Sequence, residues 1–526
     1  MKSSHVGLLV TSMLLLASCA PQHSKDMEKI EILRGKVEDL VKAQSLMGYN
    51  SWVYGAPSNQ DSLYRVHASL FTLENLQLVQ RAENEEPDSV QKKRLRYFRR
   101  HLTFEFIAKE IAPLTDRFSN LEATTFVTVG TTQIPYRQVS SLISNERNQR
   151  RRAELYTATD SLLRVFNITC TEIEDSTLRI AKRLGYDSYN GMIARLKEVA
   201  LDPFGQLAGR LLSETDSLYK TVLTQMVTKY LRSDLKHFYR YDTAPLFRSK
   251  QFDRYFPAST MLQTAKDTYK GLGIDFDAQK NLHIDADIIP TKNPRAVCFQ
   301  IDIPNDIRLS IKPLGGFSDY DALFHEMGHG QHYAHTQEQA LEFKYLGEST
   351  VTESYAFLSE YILSNQAWLR SRMSMPTPIL KDYIRFQAFY RLFYVRRYCA
   401  KLLYELQLHA GAANADSLYA ALLSRGIGYQ QNPSDRLRFL VDLDAHYYTA
   451  SYLRAWFLES QLNAALTKQF GVNWFEHPRA GEFLRGLWEK GDRLNGEELA
   501  RLLGYDAITP DAWLAEINAM VLFSTQ

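Results

Sequence analysis

The run Ala322-Leu323-Phe324-His325-Glu326-Met327-Gly328-His329 holds the residue types and spacing in this chain best suited to chemistry. Helical residues four apart share a face one turn apart, so the imidazoles of His325 and His329 can reach a single cation. Zinc suits such a pair, because it takes neutral imidazole nitrogen and, in catalytic sites, keeps one position open for water. Glu326 is rotated just off the His–His face and would meet that water as a general base rather than the metal. The competing reading is a surface helix with two satisfied histidines. It is disfavoured by the scarcity of histidine, 13 in 526 residues, and by the apolar face that Leu323, Phe324 and Met327 supply. Ser318, Asp319 and Asp321, after the Gly315-Gly316 turn, read as the start of the helix.

Two positions compete as third ligand. His335 would complete a longer histidine motif, but that motif needs a glycine where the helix breaks, and this chain has His332 there. Unbroken, the helix carries His335 away from the metal along its axis. The stretch Gly347-Glu348 to Glu353-Ser354-Tyr355 offers carboxylates instead. Glu353 sits inside an apolar helical stretch with Val351, Tyr355, Phe357 and Leu358, where a carboxylate is costly without a cation beside it. Glu353 is therefore the expected third ligand.

Arg308 to Pro313, Asp319 to Tyr333 and Thr352-Glu353 together resemble the core of the gluzincin zinc peptidases, the family related to angiotensin-converting enzyme, thimet oligopeptidase and neurolysin. The resemblance is firm over about residues 290–360. Weaker echoes are found in Pro135-Tyr136-Arg137 and Leu184-Gly185-Tyr186. It implies a mainly α fold, a large helical ellipsoid divided by a deep substrate cleft. A small β-sheet would lie beside the metal helix, and the N-terminal helices would form a lid. It also implies one zinc ion per chain, hydrolysis of short peptides as an oligopeptidase or dipeptidyl carboxypeptidase, and a monomer. Pro294 to Phe299 resembles the edge strand on which that family lays its substrate, which makes Ala296 and Cys298 expected backbone contacts.

The family's late tyrosine-rich segment, which stabilises the tetrahedral intermediate, has its counterpart in Asp444 to Trp456. One alignment makes Tyr452 a contact for a substrate carboxylate and puts Ala455 where a catalytic tyrosine belongs. The other makes Tyr447 the first tyrosine and puts Arg454 at a catalytic one. His446, Tyr448 and Tyr452 are the expected oxyanion donors, and Arg454 is expected to touch substrate. The family often has an aspartate four residues after the glutamate ligand. Here that residue is Phe357, so Asp321 or Glu360 would orient an imidazole instead.

The first residues give an address. An apolar run from Val6 to Leu16, too short to span a bilayer, ends in Leu16-Ala17-Ser18-Cys19 and resembles a bacterial lipoprotein signal. Residues 1–18 would be removed, Cys19 would carry lipid, and residues 19–25 would tether one catalytic domain of two helical halves, 26–526. The protein would then be held at the cell envelope outside the cytoplasm, in the periplasm or at the surface. The ordinary secretory signal is the alternative, and it leads out of the cytoplasm as well. A net charge of +2 argues against a surface built for polyanions such as nucleic acid. The basic run Lys92 to Arg100 reads as a solvated or ion-paired helix face. Beyond Cys19, three cysteines remain, an odd number that excludes a disulfide framework.

With 45% hydrophobic residues the chain can bury a large core. Helical spacing predicts helices over 27–47, 63–79, 104–118, 153–184, 203–231, 378–408 and 445–469. Strand character is confined to 124–129 and to a hairpin or small sheet over 296–303 and 307–311.

Overall fold

Apolar spacing of 3.6 residues turns most of this chain into helix, and the strands among the described residues are five and short. The computed structural model describes residues 6–56 and 59–525, with side chains from Gln22 onward. The expected signal peptide and the Cys19 thiol therefore lie outside the described side chains. Helix α1 spans Val6–Tyr54, so residues 20–25 are part of a helix. Gln22 donates to Asp26 at 2.8 Å there. No helix among the described residues is long and apolar enough to cross a membrane.

Three of the expected helices are broken, each at a threonine. The 63–79 window divides into Gln60–Val66 and Leu73–Glu85, because the Thr72 hydroxyl accepts the Asn75 N–H and starts a new helix. The 153–184 window divides at Thr159, whose hydroxyl donates to the Tyr156 carbonyl. The 203–231 window divides at Thr215, which donates to the Leu211 carbonyl. Such local bonds give the backbone an alternative to continuing the helix, and apolar spacing alone does not register them.

The basic run lies in α2, Ser89–Thr124. Arg94 pairs with Glu342, Arg96 and Arg99 with Glu83, and Lys93 with Glu498. Farther on, α3 spans Tyr189–Lys197. Strands β1, Phe126–Val129, and β2, Thr132–Pro135, form an antiparallel pair around Gly130, which adopts φ 64° at the turn.

A second sheet supports the site. The expected hairpin is β4, Val297–Asp302, and β5, Asp306–Ser310, paired antiparallel. A third strand, β3, Leu282–Asp285, adds in parallel on the other side of β5, giving the order β3-β5-β4 with β4 at the edge. The C-terminal end of α1 packs on β4, where Tyr49 and Val53 bury Ile301. Trp52 Nε1 also donates to the Arg295 carbonyl at 2.9 Å.

Helix α4, Phe317–His335, starts after Gly315 and Gly316, both at positive φ. Asp319 reaches back to accept the N–H groups of Leu314 and Gly315 and holds that turn. Helix α5, Ser349–Glu360, is buried along nearly its whole length and packs on both α4 and α7, Tyr448–Phe470. The long α6, Thr377–Leu408, lies against α7. Where α4 crosses α5 the residue is Gly328, and a Cβ there would stand 2.5 Å from both Ala356 Cα and the Tyr355 carbonyl oxygen. Only glycine lets the two backbones come that close.

Candidate metal centre and its groove

That close crossing brings Glu353 over the two histidines. His325 Nε2 lies 3.4 Å and His329 Nε2 3.7 Å from Glu353 Oε2. One ligand atom from each of the three residues falls within 4.8 Å of the others. The far ring nitrogens are also held. His325 Nδ1 is 2.8 Å from Glu360 Oε2, and His329 Nδ1 is 2.8 Å from Thr352 Oγ1, which itself donates to Tyr333. In a neutral ring that donates its Nδ1 proton to such a partner, the Nε2 lone pair faces the shared point. Of the two residues considered for orienting an imidazole, Glu360 does so. Asp321 instead accepts the Tyr390 hydroxyl at 3.1 Å.

Whether a cation fits can be judged from the oxygens of Glu353. Oε1 accepts the Tyr448 hydroxyl at 2.6 Å, whereas Oε2 is buried with no hydrogen-bond partner. A buried carboxylate oxygen without a partner is costly, and a divalent cation between it and two imidazole nitrogens removes that cost. Burial drives the pKa of His329 down to about 4, so its ring is neutral. At His325 burial acts in the same direction, but Glu353 and Glu360 outweigh it and hold the pKa well above its ordinary value. A cation at the shared point would compete with that proton.

Glu326 stands where two cavities meet. One of about 450 Å³ is lined by Ala296, His325, Glu326, Tyr452 and Trp456, among others, and the second, of about 310 Å³, by Cys298, Glu326, His329 and Glu353. The Glu326 carboxylate accepts the Cys298 backbone N–H at 2.7 Å, which ties it to the outer edge of β4. Burial pushes its pKa up to about 7, against the pull of His325 and of that N–H. Ala296 lines the first of these cavities and Cys298 the second.

The late segment is arranged differently from either alignment. The expected helix over 445–469 begins only at Tyr448, because His446 and Tyr447 both adopt φ 53°, a left-handed pair that turns the chain. Tyr448 reaches the ligand carboxylate. Tyr452, one turn on, lines the larger cavity with His325 and Glu326. His446 is not brought to this centre. Its ring stacks on Phe104 at 4.2 Å, its Nδ1 lies 3.1 Å from the Tyr189 hydroxyl, and it lines a third cavity that excludes Glu326. Burial lowers its pKa to about 3, so it has no imidazolium to offer an oxyanion.

Arg454 also departs from expectation. Its guanidinium is buried against Glu348 at 3.4 Å and Glu497 at 3.3 Å and lines none of the three cavities. Ala455 is fully buried in the core. Glu348, the other carboxylate considered as third ligand, is held by Arg454 and by the Gly496 N–H at 2.9 Å. His335 stays on α4, its Nδ1 2.9 Å from the Gln331 carbonyl.

Thr352 was not among the residues singled out from sequence, although it directly precedes Glu353. Neither was the ladder Tyr390, Tyr394 and Tyr398 on α6, which lines the larger cavity. Its spacing of four residues was the available signal. No protein-family model and no curated protein matches this chain.

Proposed function

We propose that this chain is a zinc-dependent peptidase of the gluzincin type, acting on short peptides. The observation that carries the reading is the partnerless Glu353 oxygen facing two oriented imidazoles, with Glu326 tied beside them to an open strand edge. His325, His329 and Glu353 would hold the ion. Bound there, zinc supplies Lewis acidity toward a carbonyl oxygen and lowers the pKa of water.

The outer edge of β4 offers backbone groups around Ala296 and Cys298, and an extended peptide adds to such an edge with little demand on sequence. The Cys298 N–H aims the Glu326 carboxylate. Glu326 then takes the proton of the attacking water and delivers it to the leaving amine. The Tyr452 hydroxyl, in the same cavity, is the donor assigned to the developing oxyanion. Tyr448 steadies Glu353 rather than the substrate.

The cavities along β4 form the floor of one cleft in a helical ellipsoid, and the N-terminal helices act as its lid, which limits substrates to short peptides. The chain works as a monomer, lipid-anchored through Cys19 at the bacterial envelope outside the cytoplasm. The test is zinc stoichiometry of the purified protein together with cleavage of a quenched short peptide. Wild type should carry about one zinc per chain and lose activity to chelator. Glu326→Gln should keep the metal, since its amide oxygen still accepts the Cys298 N–H, yet lose about 10⁴-fold in kcat, equivalent to about 5.5 kcal/mol. Equal rates for the two proteins would end the enzyme reading and leave a peptide-binding protein of the same fold.

A further inference from the structure

Lys93, Arg94, Arg96 and Arg99 in the basic run of α2 are ion-paired, and its last residue, Arg100, is not. Arg100 is 8% exposed, and its guanidinium donates only to the carbonyls of Leu346 and Gly347. Lys197, the last residue of α3, points toward the same place and has only neutral partners, the Ser451 hydroxyl at 3.2 Å and the Tyr447 carbonyl at 3.5 Å. Among the described residues neither cation has a carboxylate within ion-pair distance.

Both line the third cavity, of about 280 Å³, together with His101, Ser349 and His446. The acid in its wall, Glu348, is already held by Arg454 and the Gly496 N–H. Burial and then the neighbouring Arg100 lower the Lys197 pKa to about 8, against the pull of Glu348 and Glu405. A buried guanidinium and a half-buried ammonium whose direct hydrogen-bond partners are all neutral are stabilised by an anion that joins them.

The place of this cavity argues for what the anion is. Tyr345, Gly347, Glu348, Ser349 and Tyr448 line both it and the cavity at Glu353, so the two share a wall. The opposite end, beyond Glu326, is lined by Asp319, Asp321 and Glu360. A peptide laid along β4 therefore reaches Arg100 and Lys197 at one end of these cavities.

We propose that the cavity between α2, α3 and the Ala445–Tyr448 turn is an anion subsite of the groove. It takes a carboxylate of the bound peptide, from an acidic side chain or a chain terminus, through Lys197 and Arg100. The choice of a peptide as the source of that carboxylate rests on the peptidase reading. The charge complementarity stands independently of turnover.

The test is therefore binding. Fluorescent short peptides in which a single Glu is moved through the sequence, each paired with its Gln analogue and capped or free at the termini, are titrated onto the full-length Glu326→Gln protein at low and high salt. At one position, or with one free terminus, the carboxylate form should bind about tenfold or more tightly, the size of a charge-assisted hydrogen bond, and the advantage should shrink with salt. Lys197→Met should abolish the preference, Lys197→Arg should retain it, and Lys197→Glu should favour a Lys-containing peptide. Melting curves in acetate or inorganic phosphate form the second arm. If either ion stabilises wild type but not Lys197→Met while all peptide pairs bind alike, the site serves free anions and the peptide proposal is overturned. Equal binding throughout, with no response to either ion, overturns the subsite altogether. Binding that discriminates in a protein whose wild type cleaves nothing would sink the peptidase reading and leave the subsite standing.

Discussion

The crossing of α4 and α5 and the turn that leads into α7 both approach the candidate metal centre, and they do so under opposite constraints. At the crossing, two regular helices touch backbone to backbone at Gly328, and each far histidine nitrogen has a partner on α5. At the turn, Asp444 to Tyr447, the backbone is irregular and two successive non-glycine residues take left-handed geometry. The first region fixes distances by close packing. The second depends on side-chain bonds, among them Thr449 Oγ1 to Glu405 Oε1 at 2.8 Å, Lys401 to Asp444 at 2.8 Å and the Tyr447 hydroxyl to Asn190. Left-handed pairs of this kind cost energy and persist only where the surroundings over-determine them. The crossing should therefore fail through sterics and the turn through electrostatics.

The largest effect is expected from Gly328→Ala. The added methyl would overlap two backbone atoms of α5, which no rotamer change relieves. The helices must separate, moving Glu353 away from the histidines. Thermal or denaturant unfolding should show a loss of about 3 kcal/mol, and the purified variant should bind zinc far more weakly than wild type. If the variant keeps wild-type metal stoichiometry and melting temperature, close packing is not what positions the ligands.

A smaller effect separates Tyr452, one turn into α7, from His446 in the turn itself. Tyr452→Phe should lower kcat by about 10²-fold, the scale of a lost oxyanion donor, with KM little changed. His446→Gln should change kcat by less than about threefold, because the ring lies against Phe104 and Tyr189 outside the two cavities that meet at Glu326. The reverse ranking would mean that the turn rearranges when substrate binds and carries His446 to Glu326.

The same contrast explains what could be read from residues alone. The candidate metal site rests on local spacing: histidines four positions apart, an acid one position after the first, and a glutamate inside an apolar helix. The edge strand was likewise visible in Ala296 to Ile303. The turn was not, because left-handed geometry at His446 and Tyr447 comes from bonds to Asn190, His409 and Glu405, all distant in sequence. Any register carried through Asp444 to Trp456 as one helix misplaces Arg454, whose partners Glu348 and Glu497 are also remote. Strand β3 was missed for a related reason, since its pairing with β5 skips over β4. Glu360 and Asp321 could only be offered together, because the choice between them depends on how α6 presents Tyr390.

The smallest effect concerns pH and the support of the turn. Glu405 on α6 is fully buried beneath it, with Oε2 unpartnered, and Lys401 and Asp444 are the charged groups that face it. Burial pushes its pKa up to about 8, Asp444 adds to the shift, and Lys401 opposes it. A carboxyl raised above its unfolded value of 4.5 favours the fold fully below that pH. Its contribution is lost as pH rises toward the folded value, since the unfolded chain gives up the proton first. Wild type should therefore lose stability from this group between about pH 4.5 and 8 and no further above. Glu405→Gln keeps the acceptor for Thr449 and does not titrate, so its melting temperature should match wild type near pH 4.5 and exceed it by a growing margin up to about pH 8. Parallel curves across that window would mean that Glu405 stays charged in the fold, and the turn would then rest on an ion pair with Lys401 rather than on a neutral acid. Because the metal ligands lie on α4 and α5, zinc stoichiometry should be unchanged by the substitution at every pH, which keeps this measurement on the turn alone.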